Sequence, residues 1–120
     1  MSSRLLPPER SLPLAFGHPL AVVDLESRFL TGCDRDTRAE YRADLDPWFA
    51  FCSDFTINVL SAQERHVAGF VRHQTEVEWA DAATMERRLG TLSIFYDYDV
   101  ASRAATINPV TVAILAMVDY

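Results

Sequence analysis

The stretch whose reading decides the fold is Thr84 to Tyr98, Thr-Met-Glu-Arg-Arg-Leu-Gly-Thr-Leu-Ser-Ile-Phe-Tyr-Asp-Tyr. At 3.6 residues per turn, Met85, Leu89, Leu92, Tyr96 and Val100 fall in one narrow stripe, the face a bundle buries. Roughly opposite stand Arg87, Thr91 and Tyr98, with Thr84 and Arg88 on one flank. A helix with a packing face and an Arg/Thr face is suited to docking on a duplex. An ordinary amphipathic helix with solvated arginines shows the same pattern, and periodicity alone favours that plainer reading. Asp81 is placed to cap this helix, expected over 82–101.

Working outward, Ser61-Ala-Gln-Glu64 has capping-box spacing and predicts a helix over 61–75. Val67, Phe70, Val71 and Gln74 form its inner edge, and His66 and His73 lie on the outer side as surface histidines, two turns apart and too distant for joint metal ligation. Before it, Thr37, Tyr41, Leu45, Trp48 and Cys52 recur every three or four residues and predict a helix over 36–54, capped by Asp34 or Asp36. Pro47 interrupts that pattern, so a kink or a new segment is expected there. Arg35, Arg38 and Arg42 line one flank among acidic neighbours, at spacings that suit either i,i+4 pairs or phosphate contacts. A first helix over 20–31 carries Leu20, Val23, Leu25, Phe29 and Leu30 and stops at Gly32. The proline-rich residues 1–17 are expected to be a flexible leader.

Composition narrows the function. A chain of 120 residues, 49% hydrophobic and 23% charged, is of a size and kind to fold as one domain without staples. Cys33 and Cys52 form no metal or disulfide motif and no secretory leader is evident, so a reduced cytoplasmic chain is expected. No apolar run reaches the roughly 18 residues of a membrane span. The net charge of -6 opposes non-specific attraction to nucleic acid. Serines, cysteines and histidines make no nucleophile–base pattern, no metal site or cofactor motif is present, and Asp97 and Asp99 read as solvated acids. No catalytic residue, cofactor or small-molecule substrate is therefore expected.

The order of residues adds a resemblance. Phe29-Leu-Thr-Gly32, then Thr37, Tyr41, Asp44-Leu45, Trp48-Phe49 and Cys52, resembles the opening of the core-binding domain of tyrosine recombinases, the phage integrases. Ala83-Thr84-Met85, Arg87-Arg88-Leu89, Leu92 and Phe95-Tyr96 resemble its later helix, and Asn108-Pro109 looks like the hinge into the catalytic domain. The resemblance covers about residues 24–109 and implies an all-α, four-helix SAM-like orthogonal bundle over 18–109. It implies a DNA-binding half without catalytic chemistry, binding duplex DNA through Arg38, Arg42, Thr84, Arg87, Arg88 and Thr91. The Arg, Lys, His, Arg and Tyr set of the family's catalytic domain has no counterpart, and Tyr120 is not its nucleophile. The alternative is a helical interaction or remnant domain that binds DNA negligibly. Convergence of Arg38, Arg42, Arg87 and Arg88 on a surface free of carboxylates would favour DNA; neutralisation by carboxylates would disfavour it.

Residues 110–120 are almost uncharged and too short for a bilayer. They are expected either to be an apolar tail left where a linker was shifted or interrupted, open to self-association, or to be a helix docked on the bundle.

Overall fold

The computed structural model describes residues 20–118, so the leader expected over 1–17, and Asp119 and Tyr120, lie outside the described residues. The described chain is all-helical: α1 Leu20–Thr31, α2 Arg35–Asp54, a 3-10 turn Val59–Ser61, α3 Glu64–Glu76, α4 Ala82–Ala101 and α5 Pro109–Val118. The four expected helices are present, and α5 is a fifth.

Each start has a local cause. Asp34 accepts the Thr37 N–H at 2.8 Å and opens α2, and Asp81 accepts the Thr84 N–H at 2.8 Å and opens α4. The start of α3 differs from the expected box. Ser61 closes the 3-10 turn, and the Gln63 N–H instead donates to His66 Nδ1 at 2.9 Å. The helix therefore begins at Glu64, and His66 is half-buried in a capping role rather than free on the surface. Pro47 neither ends nor divides α2, which continues through it to Asp54. The proline nitrogen has no N–H to give to the ladder there.

The core forms where α2, α3, α4 and α5 meet. Trp48, Tyr96, Phe70, Val67, Leu45 and Val59 are fully enclosed there. The polar ends of the two largest rings are satisfied in series: Trp48 Nε1 donates to the Tyr96 hydroxyl at 3.1 Å, which donates to the Val59 carbonyl at 2.6 Å. A buried donor left alone would cost about 1–3 kcal/mol, so this chain sets how α2, α4 and the 3-10 turn fit together. Phe70 meets Trp48 edge-on at 5.2 Å. Phe29 joins α1 to the bundle through Tyr41 at 5.8 Å and Phe95 at 5.6 Å. Tyr41, Val71 and Leu89, expected inside, are half-buried, and Val100 is 37% exposed.

The C-terminal segment is a docked helix rather than an exposed tail. It packs on α3 and α4, and Val110 and Ala113 belong to the same core as Trp48. Asn108 is its cap. Its Oδ1 accepts the Val110 N–H at 3.0 Å and the Thr111 N–H at 3.2 Å, while Nδ2 donates to the Ser93 carbonyl and to Asp97, each at 2.9 Å. Pro109 at the first helical position gives up no hydrogen bond.

Candidate nucleic-acid interface

The six residues expected to face DNA fall in three places. Arg42 and Asp44 are two apart on α2 and project about 200° from one another. Arg38 and Arg42 accordingly lie on the α1 side, and Asp44 points at α4. Arg38 ties down the end of α1: Nε donates to the Leu30 carbonyl at 3.2 Å and Nη2 to the Cys33 carbonyl at 3.0 Å. A cation on the free carbonyls of a helix end is favoured by the helix dipole as well. Arg42 is exposed beside it, and its charge opposes the effect of burial on Glu26, whose carboxyl is held above its ordinary range.

On the other side of α2, one carboxylate organises α4. Asp44 is 3% exposed; its Oδ1 accepts from Arg87 Nε at 2.9 Å and its Oδ2 from the Thr91 hydroxyl at 2.8 Å. Residues 87 and 91 are one turn apart, so both reach the same group. Thr91 is thus buried at 4% exposure instead of standing on an outward face, because α2 packs over that side of α4. Arg87 differs: its side chain is 61% exposed and only Nε is engaged, so both Nη groups are without hydrogen bonds among the described residues. A buried carboxylate must be paired to be tolerated, and the partner it holds here is fixed with its fork outward.

Arg88 turns inward, where it donates to Oε1 of the buried Gln74. With Thr84 it lines a cleft of about 470 Å³ between α2, α3 and the 77–81 connection. Asp54, Glu78 and Asp81 border the same cleft, so Thr84 and Arg88 stand among carboxylates.

Three residues of consequence have roles that the sequence reading did not assign to them. Asp44 sits between Tyr41 and Trp48 on the core stripe of α2, and an acid on an apolar stripe was the available signal. Asp99, three residues past Tyr96, is likewise on the inner side of α4. It is fully enclosed, both carboxylate oxygens are without hydrogen bonds, and burial pushes its pKa up to about 7. It is therefore not the solvated acid expected, whereas Asp97 is exposed and bonds Asn108. Trp79 is 85% exposed, with a left-handed backbone at φ 61°. Among residues with expected roles, His73 is half-buried and packs on Phe51 at 5.5 Å and Phe55 at 5.9 Å. Cys33 and Cys52 are free thiols, and burial pushes the Cys52 thiol far up. Among the described residues no group of His, Cys, Asp or Glu is arranged to hold a metal ion, and no helix is long and apolar enough to cross a membrane. No protein family, curated protein or solved structure matches the chain.

Proposed function

We propose that this helical region is a non-catalytic DNA-binding domain of the core-binding kind found in tyrosine recombinases, making weak phosphate contacts through few arginines. The observation that carries the reading is Arg87: a buried carboxylate holds its Nε and leaves the planar end of the guanidinium directed to solvent on α4. An arginine fixed in this way loses little side-chain freedom on meeting a phosphate. Arg42 is the second exposed contact, whereas Arg38, Arg88 and Thr91 serve the fold. The free thiols accord with a cytoplasmic location.

A second reading, an interaction domain that binds DNA negligibly, draws support from the carboxylates around Thr84 and Arg88 and from the net charge of -6. Titrating a labelled duplex at two salt concentrations separates the two. With two phosphate contacts, log K should fall against log salt with a slope of about -1.8, from roughly -0.9 per phosphate, and affinity should be about micromolar or weaker. Arg87→Gln, whose amide nitrogen can still donate to Asp44 from the position of Nε, should abolish the binding without unpairing the buried carboxylate. Binding unchanged in that variant, or no binding by the parent at low salt, would remove the DNA reading.

A further inference from the structure

The cleft beside α4 has features that phosphate contact leaves unexplained. Trp79 lines it, and an indole left 85% exposed presents a large apolar face with no ring contact among the described residues. Its rim carries three carboxylates, Asp54, Glu78 and Asp81, against one guanidinium, Arg88, which is already bonded to Gln74. Asp81 is held ionised, since its bonds from Thr84 lower its pKa. In the wall, Arg88 Nε and His73 Nδ1 are sealed from solvent and without hydrogen bonds among the described residues.

We infer that this cleft binds a basic peptide segment of a partner protein. An arginine or lysine side chain lying over the Trp79 face gains cation–π attraction, and its charge is matched by Asp54 and Glu78. A nucleic-acid strand is disfavoured there, because its phosphates meet the carboxylates of Asp54, Glu78 and Asp81. Arg87 is not among the residues that line the cleft.

The test uses the full chain and a fluorescently labelled, end-blocked pentapeptide of alternating glycine and arginine, with the glutamate version as its counterpart. Saturable anisotropy is expected for the arginine peptide alone. Asp54→Asn combined with Glu78→Gln should weaken it at least tenfold. Trp79→Asn should do the same, asparagine being tolerant of the left-handed backbone there. Circular dichroism confirms that each variant is folded, and Arg87→Gln, outside the cleft lining and still able to donate to Asp44, should weaken duplex binding far more than peptide binding. The inference is overturned if the glutamate peptide binds equally, if folded variants bind as the parent does, or if only duplex DNA competes for the cleft.

Discussion

Replacing Asp99 with asparagine should stabilise the protein at neutral pH, which is the opposite of what most buried substitutions do. The side chain is fully enclosed and neither oxygen has a hydrogen bond, so the folded state holds the carboxyl protonated up to about pH 7, against an ordinary value of 3.8. The sign follows from proton binding. Between 3.8 and 7 the folded state binds the proton and the unfolded state has released it, so stability falls as pH rises through that window. Below the window there is no penalty, and above it the penalty is constant. At 1.36 kcal/mol per unit, the gap amounts to about 4 kcal/mol above pH 7 and about 1.5 kcal/mol at pH 5.

Asparagine keeps the shape and the buried polarity but cannot ionise. Urea unfolding of both proteins at pH 8 and pH 5 should therefore show a gain of about 4 kcal/mol for Asp99→Asn at the higher pH, shrinking to about 1.5 kcal/mol at the lower. Glu26, whose carboxyl burial also raises, adds a pH slope of the same sign in both proteins and cancels in the difference. Cys52 and Tyr96 nearby are pushed up by burial and stay neutral throughout this window. Asp34 and Asp81 are lowered by their capping bonds, so their contribution is lost only in more acid solution. A difference between the two proteins that does not change with pH, or that favours aspartate at pH 8, would show that Asp99 is solvated or paired.

Two further outcomes follow from the packing. Thr91→Val keeps the side chain's volume but leaves Oδ2 of the buried Asp44 without its donor, and should cost about 1–3 kcal/mol in urea unfolding; a neutral change would mean that Arg87 alone satisfies the carboxylate. Deleting residues 110–120 should lower stability by at least the 1.5–3 kcal/mol that full burial of a side chain such as Val110 contributes, and an unchanged melting temperature would show that α5 is not held on the bundle.

The helices were legible because their caps and stripes are local. Asp81 with Thr84, and the 3.6-residue recurrence from Tyr41 to Cys52, needed no tertiary knowledge. Two kinds of information were not local. Periodicity finds one buried side of a helix, but α4 is packed by α1, α2 and α5 together, so its second side, with Thr91 and Asp99, is also covered. Equally, the Ser61–Glu64 spacing fitted a capping box, yet the chain used Ser61 to close a 3-10 turn and left the cap to Gln63 and His66. Segment 110–118 is apolar all round, which is the mark of a helix enclosed by neighbours as much as of a stray tail. Only the Asn108 cap, bonded to Ser93 and Asp97 on α4, decides between them. For the DNA-facing set, sequence supplied the residue types but not their commitments, because a guanidinium facing solvent and one holding a carbonyl have the same spacing.

Asp44 links the fold to the proposed contact. Arginine can serve both, because its Nε takes the buried carboxylate while its Nη pair remains directed outward. A lysine at the same position has one compact charge and would have to choose between the carboxylate and a phosphate. The pairing also limits the strength of any contact: Asp44 offsets part of the charge that Arg87 presents, and the nearby cleft adds carboxylates of its own. Positioning is thereby retained at the expense of field. On the proposed reading such a surface would hold a duplex in one orientation more readily than it would hold it tightly, and a second attachment, such as a partner seated at Trp79, would supply the affinity that this helix face lacks.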